Sequence, residues 1–219
     1  MSADIERFLA QARGAIGSAA AAKVVHVDRL IQAQASATWT LDTLRGRLVE
    51  LSARGASATL TAAIEIVVEA QTQAEPVAWI APTAGTFYPP DVADSGVDLA
   101  ALVVVRVRDA IASARVAERL LRSGAFGLVV MDLGEAAVPA SHQGRLITLA
   151  QAHDAAIVCL TEKTAETPSL GSLVSLRAEA MRTRDPGGTF GVAVRVIKDK
   201  RTGPGFVRAI AARAPAGFK

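Results

Sequence analysis

The segment from residue 46 to residue 71, GRLVELSARGASATLTAAIEIVVEAQ, reads as a strand, a loop of small residues and a helix. Nucleotide-binding proteins hold phosphate in such a loop through the motif G-x-x-x-x-G-K-[ST]. Backbone N–H groups and the Lys neutralise the phosphates, and the hydroxyl holds magnesium. No Gly precedes a Lys in this chain, and the loop's cation, Arg54, stands too early to replace it. With Gly55 as its one glycine, the loop predicts a weak nucleotide site or an ordinary strand-to-helix turn.

Hydrolysis of a nucleoside triphosphate also needs a carboxylate for magnesium and a group that activates water. The apolar strand GLVVMD ends on Asp132, where a magnesium-binding Asp would stand, although acids at strand ends are common without a metal. The strand VAWI leads into APTAGT, and no acid follows until Asp91. The sequence therefore retains one of three catalytic elements.

The remaining residues that could do chemistry favour structural roles. His26, His142 and His153 lack metal-ligand spacing. Ser141 stands beside His142 without a nucleophile elbow around it. The single cysteine, Cys159, lies in the apolar run AAIVCLT and is expected in the core. We predict no metal site here.

The composition indicates a globular protein with one domain of good size or one domain plus an appendage. Of its 219 residues 51% are apolar, and no run approaches the roughly 18 apolar residues of a membrane span. The start carries acids and no basic-then-apolar leader, so we expect a cytoplasmic protein without membrane contact.

The net charge of +3 is unevenly distributed: residues 177–219 carry +7 and the first 176 carry −4. This basic end indicates a solvated tail or, alternatively, contact with a polyanion.

Strands and helices alternate along most of the chain. A strand is predicted at residues 47–51. Strands buried on both faces are predicted from near-continuous apolar runs at residues 77–81, 102–107, 126–132 and 155–161. Helices are predicted from Ser57, as N-cap, to before Pro76, from 109 to 123 with Gly124 as C-terminal cap, and from about 142 to 153. This order predicts an α/β fold with a parallel sheet covered on both sides.

The pattern changes at both ends of the chain. Residues 174–182 and 191–198 alternate apolar with polar residues around the turn DPGG, which predicts an antiparallel hairpin. Near the start, Ile5, Phe8, Leu9, Ala12 and Ile16 form the stripe of an amphipathic helix over residues 4–16. We therefore divide the chain into an N-terminal helix and linker (1–40), a core domain (41–205) and a basic C-terminal tail (206–219).

From about residue 46 to residue 205 the order of elements resembles a RecA-like core. GRLVEL with the helix ending in EAQ is similar to the elements around the RecA phosphate loop, and GLVVMD to its Walker B strand. AAIVCLTEK resembles the strand with the phosphate-sensing Gln, and VAVRVIKDKRTGPG the closing strand. The resemblance puts Thr59 at the phosphate-loop Lys, Thr83 at the catalytic Glu and Glu162 at the sensing Gln. Only the magnesium Asp is kept, as Asp132.

This resemblance implies a degenerate nucleotide site that comprises Gly55, Ser57, Thr59, Thr83, Asp132 and Glu162. A carboxylate at Glu162 would repel a γ-phosphate. We therefore expect a protein without enzymatic activity or a bound cofactor. The alternative is a divergent ATPase of the same superfamily that recruits Arg54 or a neighbour's Lys.

RecA proteins bind single-stranded DNA through two loops, which here correspond to LGEAAVPAS and KTAETPSLGS. Both are short and nearly free of cations, so we expect weak or no direct DNA binding. Another alternative is a DNA-binding protein that uses Lys198, Lys200 and Arg201.

Among RecA relatives, a short chain with a degenerate phosphate loop and shortened loops looks most like the ImuA family. This resemblance implies a role in DNA damage tolerance, in translesion synthesis and mutagenesis during the SOS response. The implied partners are RecA itself, an ImuB-type polymerase homologue and an error-prone replicative-type polymerase. The resemblance also implies that the protein restrains RecA-mediated recombination.

Two segments are candidates for these contacts. In RecA filaments a helix before the core docks on the neighbouring subunit, and the stripe of Ile5, Phe8, Leu9 and Ala12 could do the same or fold back on its own core. The end of the chain, GFVRAIAARAPAGFK, mixes apolar residues with arginines, and Phe206 and Arg208 could contact a polymerase component. A frayed end is the other interpretation.

Overall fold

A computed structural model of the chain describes residues 39–55, 57–85, 87–184, 190–203 and 207–211. The predicted helix over residues 4–16, the DPGG turn at 185–188 and Phe206 lie outside these ranges. Within the described ranges, no helix has the length and apolar character that crossing a membrane requires.

The described residues form eight strands and five α-helices. The strands are β1 (Arg47–Ser52), β2 (Val77–Pro82), β3 (Leu102–Val107), β4 (Leu128–Gly134), β5 (Ala156–Thr161), β6 (Leu176–Arg184), β7 (Phe190–Asp199) and β8 (Val207–Ala211). The helices are α1 (Leu41–Leu44), α2 (Thr59–Thr72), α3 (Pro90–Ala93), α4 (Ala110–Arg122) and α5 (Ala140–Ala152), with a 3-10 turn at Leu99–Ala101.

All eight strands belong to one sheet, in the order β3-β2-β4-β5-β1-β6-β7-β8. The six strands from β3 to β6 in that order run parallel. Strand β7 is antiparallel to β6, and β8 is antiparallel to β7. The prediction of a mostly parallel α/β sheet with a C-terminal antiparallel hairpin is confirmed.

The core has two apolar layers, one on each face of the sheet. One layer joins α1 and α2 to the sheet and includes Trp39 and Trp79, which are 1% and 0% exposed. The other joins α4 and α5 to the opposite face and includes Cys159, whose thiol has a raised pKa because of burial and of nearby Glu50. Cys159 therefore lies in the core as predicted from sequence, and both tryptophans pack there as well.

Two predictions about the strands need correction. Strand β3 was expected to be buried on both faces, but Val103 is 44% exposed and Arg106 is also exposed. The reason is that β3 lies at the edge of the sheet, where the layers above and below end. Strand β8 was not predicted, because its short segment becomes a strand only by pairing with the free edge of β7.

The predicted N-cap of the second helix is also wrong. Helix α2 begins at Thr59 with Ala58 as its N-cap, and that cap makes no side-chain hydrogen bond. Ser57 forms an isolated bridge with Met181, and the Ala58 N–H donates to the Ala180 carbonyl at 3.0 Å. The chain is thus held extended against β6, so the helix starts two residues later than Ser57.

Candidate functional site

A pocket of about 330 Å³ lies where β1, β4 and β5 end. These strands are parallel neighbours, so their carboxyl ends meet at one edge of the sheet, where α/β proteins bind ligands. Five of the six predicted site residues line it; Thr83 does not. The lining residues are Ala53, Arg54, Gly55, Ser57, Thr59, Leu60, Trp79, Phe87, Asp132, Gly134, Leu160, Thr161 and Glu162.

The loop from β1 to α2 supplies one wall of this pocket. Gly55 has a positive φ of 80°, which only glycine adopts readily, and its carbonyl accepts the Ser57 N–H at 2.7 Å. The hydroxyl of Thr59 lies 3.1 Å from that of Ser57. Thr59, which the resemblance puts at the phosphate-loop Lys, therefore contributes a short hydroxyl that is hydrogen-bonded within the loop.

The cation of the loop is paired with an acid. The Arg54 guanidinium donates to the Glu135 carboxylate, just beyond the end of β4. Both side chains are more than half exposed, so the pair lies at the rim of the pocket. Glu135 thus neutralises Arg54.

The loop after β2 places Thr83 outside the lining of the pocket. Its N–H and its hydroxyl both donate to the Val107 carbonyl, at 2.7 and 3.0 Å. Arg106 donates to the carbonyls of Pro82, Gly85 and Phe87 and so holds the same loop against the end of β3. Thr83, which the resemblance puts at the catalytic Glu, is therefore hydrogen-bonded to the backbone of β3 and has no carboxylate.

Two aromatic rings form the wall opposite the phosphate-loop segment. Phe87 stacks on Trp79, with ring centroids 4.2 Å apart and planes 8° from parallel. Trp79 is fully buried, and its indole N–H has no hydrogen-bond partner among the described residues. This wall is apolar apart from that N–H.

Asp132 and Glu162 put two acids at one end of the pocket. The pKa of Asp132 is raised by burial and by the charge of Glu162, although the Gly134 N–H and Arg106 oppose the shift. In the part of the chain that the structure describes, no three His, Cys, Asp or Glu side chains are grouped closely enough to hold a metal ion. The two carboxylates make this end of the pocket unfavourable for a phosphate.

The chain was compared with sequence models of known protein families. The sequence model of the RecA N-terminal domain matches residues 7–159, which is more than half of the chain. The chain belongs to the RecA family. No curated protein matches it.

The raised pKa of Asp132 predicts that this RecA-family site reduces stability. We expect Asp132→Asn to raise the free energy of unfolding at pH 7, because Asn still accepts the Gly134 N–H but carries no charge next to Glu162. A raised pKa in the folded state disfavours ionisation there. The gain should therefore shrink as the pH falls towards about 4, the usual pKa of Asp in an unfolded chain.

Urea denaturation of wild type and Asp132→Asn at pH 7 and pH 4 measures this difference. Asp91→Asn removes the same charge from an exposed position and serves as the control. A loss of stability in Asp132→Asn at pH 7 would contradict the prediction.

A buried charged cluster behind the RecA-type pocket was missed from sequence. Glu50 is 0% exposed and lies 3.6 Å from the Lys163 ammonium and 3.7 Å from the Arg177 guanidinium. It also accepts the Thr161 hydroxyl at 3.0 Å and the Leu170 N–H at 2.9 Å. The available signal was the acid inside the apolar strand RLVEL, since a buried carboxylate needs charged or hydrogen-bonding partners.

This cluster holds the loop from Lys163 to Ser172, for which the sequence predicts a correspondence to the second DNA-binding loop of RecA. Arg177 donates to the carbonyls of Thr164 and Thr167 within that loop. At its far end, the Gln143 amide donates to the Leu170 carbonyl at 3.1 Å. The loop backbone is thus attached to the sheet and to α5.

The predicted DNA contacts Lys198, Lys200 and Arg201 lie at the end of β7. The pKa of Lys198 is lowered by partial burial and by Lys200 and Arg177, with Glu50 opposing. The Lys200 ammonium donates to the Ser172 carbonyl at 2.5 Å, and Arg201 is exposed. These three cations therefore do not form one equally exposed surface.

Proposed function

We propose that this RecA-family protein is a non-catalytic accessory protein of DNA damage tolerance, of the ImuA type. It acts in SOS translesion synthesis through contacts with RecA, an ImuB-type polymerase homologue and an error-prone replicative-type polymerase, and it restrains RecA-mediated recombination. The family membership supports the RecA-like part of this proposal.

The observation that carries the proposal is the state of the nucleotide pocket. Thr59 and Thr83 replace the two residues that would neutralise phosphate and activate water, and both hydroxyls are hydrogen-bonded within their own loops or to β3. Arg54 is paired with Glu135, and Glu162 adds negative charge beside Asp132. A transition state of phosphoryl transfer needs positive charge at the equatorial oxygens, and this pocket offers acids instead.

A RecA-like subunit without nucleotide chemistry would occupy a filament interface and not propagate the filament. We therefore expect the full-length protein, added below the RecA concentration, to slow RecA-mediated strand exchange severalfold while hydrolysing no ATP itself. Phe8→Ala/Leu9→Ala truncates the two largest neighbouring side chains in the apolar stripe of the predicted N-terminal helix and should abolish the inhibition. Arg7→Gln changes the opposite side of that predicted helix and should preserve it.

The outcome decides between the two interpretations of that helix. Inhibition that survives Phe8→Ala/Leu9→Ala would assign the RecA contact to another surface. No inhibition at a twofold excess over RecA would contradict the proposed restraint of recombination.

A divergent ATPase is the second candidate, because the pocket keeps one residue that magnesium-dependent hydrolysis needs. Asp132 lies at the end of β4 and lines the pocket. Titration with ATP and magnesium separates the two functions. Micromolar affinity together with hydrolysis that is lost in Asp132→Ala would replace the accessory role with an enzymatic one.

The third candidate, a DNA-binding protein, predicts that the full-length protein binds single-stranded DNA. Neutralisation of phosphates by Lys198, Lys200 and Arg201 would give single-strand binding with a steep salt dependence. The Lys200–Ser172 contact and the attached loop after β5 favour weak binding.

A further inference from the structure

The outward face of α4 carries a row of arginines. Arg115, Arg119 and Arg122 are exposed and recur at spacings of four and three residues, so they lie on one side of the helix. The buried residues of α4 are Ser113, Ala114, Ala117 and Leu121, which face the sheet. At 1.5 Å per residue the row is about 10 Å long. We call these three residues the basic stripe.

The basic stripe is not neutralised within the described part of the chain. None of its three guanidiniums has a carboxylate within salt-bridge distance there, although the chain up to residue 176 is acidic overall. The two acids nearest in sequence are engaged elsewhere. Asp109 caps the helix by accepting the Ala112 N–H at 2.7 Å, and Glu118 lies 2.6 Å from the His142 ring.

A groove of about 490 Å³ continues from the stripe along α5. Arg122 and Arg145 both line it, and Arg145, with a side chain 66% exposed, lies 4.0 Å from the Glu118 carboxylate. The other lining residues are small or aliphatic: Ala140, Ser141, Gly144, Thr148 and Leu149. The surface therefore combines several arginines with a depression whose volume can hold an aliphatic side chain.

We propose that the basic stripe and the α5 groove bind an acidic amphipathic segment of a partner protein. Carboxylates of the segment pair with Arg115, Arg119 and Arg122, because the planar guanidinium matches a carboxylate through two hydrogen bonds. An aliphatic side chain of the segment enters the groove, as in other recognition of helices by grooves. None of the described residues that line the groove is aromatic, so they offer no ring on which a nucleic-acid base could stack, which favours protein over single-stranded DNA.

This inference goes beyond the accessory role, since it concerns a surface other than the RecA-type pocket. Among the residues that the structure describes, none belongs both to the stripe or groove and to the pocket lining. The two proposals can therefore fail independently. ATP hydrolysis would contradict the non-catalytic role without affecting the binding of an acidic segment, and absence of that binding would leave the non-catalytic role intact.

The test uses the full-length protein and a fluorescein-labelled 16-residue peptide of Glu and Asp with Leu at every fourth position. Fluorescence anisotropy at low salt should show saturable binding that weakens at least tenfold in Arg115→Glu/Arg119→Glu. Arg182→Glu/Arg195→Glu, which reverses two charges on β6 and β7, is the matched control and should change the affinity less than twofold. Circular dichroism checks that the variant keeps the overall helix content of the wild type.

A second peptide, with Ala in place of Leu, tests the groove. Wild type should bind the Leu peptide at least fivefold more tightly, and Thr148→Trp, which fills the groove, should remove that preference. An oligonucleotide of 16 thymidines is the competing probe. Tighter binding of the oligonucleotide than of the peptide, with loss in Arg115→Glu/Arg119→Glu, would replace the proposal with a nucleic-acid site. Peptide binding that is absent, or unchanged in the stripe variant, would overturn it.

Discussion

Replacing Glu50 with alanine is expected to lower the free energy of unfolding by about 3–5 kcal/mol, because it leaves buried cations without their anion. Arg177 is 4% exposed, and Lys163 is largely buried beside it. The Leu170 N–H and the Thr161 hydroxyl would also lose their acceptor. This loss is a large part of the roughly 5–15 kcal/mol that stabilises an ordinary domain.

Urea denaturation measures the effect, and an exposed ion pair on the same sheet provides the control. Arg195 pairs with Glu179 at 2.7 Å, but its side chain is 55% exposed. Arg195→Ala should therefore cost less than about 1 kcal/mol. A loss below about 1 kcal/mol for Glu50→Ala as well would mean that water reaches the cluster and replaces the carboxylate.

The same substitution should release the loop after β5. Glu50 accepts from the Leu170 backbone at the end of that loop, and Lys163 at its start would lose its charged partner. We expect trypsin to cleave after Lys163 in Glu50→Ala under conditions in which the wild type is intact at this bond. Equal cleavage rates would show that Arg177 and Gln143 suffice to hold the loop.

The second large effect is expected at Asp199, whose substitution by Ala should cost about 3 kcal/mol or more at pH 7. Arg47 and Asp199 are 3% and 2% exposed in their side chains, and their nearest atoms, Nη2 and Oδ1, are 2.5 Å apart. Arg47 also donates to Ser175 and to the Thr43 carbonyl, so its guanidinium cannot turn to solvent without breaking those bonds. The pair links β1 to the end of β7 across β6.

The pH dependence of stability distinguishes the charge of Asp199 from its packing. Burial opposes ionisation of Asp199, but hydrogen bonds from Arg47, the Arg201 N–H and Thr202 outweigh it and lower the pKa. A lowered pKa gives stability that is present above about 4, the pKa in the unfolded chain, and is lost as the pH falls through the lower folded value.

Asp199→Asn keeps the size and loses this charge. The difference in unfolding free energy between wild type and Asp199→Asn should therefore be largest near neutral pH and shrink below pH 4. Chemical denaturation at pH 7, 5 and 3 measures it. A difference that is constant over this range would assign the effect to packing alone.

These two buried networks explain how the antiparallel extension is attached to the RecA-type core. Glu50 and Arg177 are cross-strand neighbours on β1 and β6, and Arg177 is in turn the neighbour of Lys198 on β7. Arg47 and Asp199 repeat the connection nearer the start of β1. The charges thus join strands that are more than 120 residues apart in sequence, at a place where an apolar sheet could slip in register.

Periodicity in the sequence was sufficient for the α/β order, the parallel core strands and the antiparallel hairpin. Runs such as LVVVRV and AAIVCLT, separated by amphipathic helices, carry that information locally. The sequence was also sufficient to show that the phosphate loop lacks its Lys and that Asp132 stands at the end of a Walker B-like strand. Both motifs have fixed spacing, so their residues can be located without a structure.

Only the tertiary structure decided which strand lies at the edge, where the chain after Asp199 pairs, and which charges are buried together. Val103 has the same local sequence character as the core strands, and its exposure follows from the position of β3 in the sheet. Glu50, Lys163 and Arg177 meet because β1, β5 and β6 are neighbours. The basic stripe has no acidic partner among the described residues, because α4 turns it outward. The physical reason is that helix and strand periods act over a few residues, whereas the pairing of charges and the exposure of faces depend on contacts between distant segments.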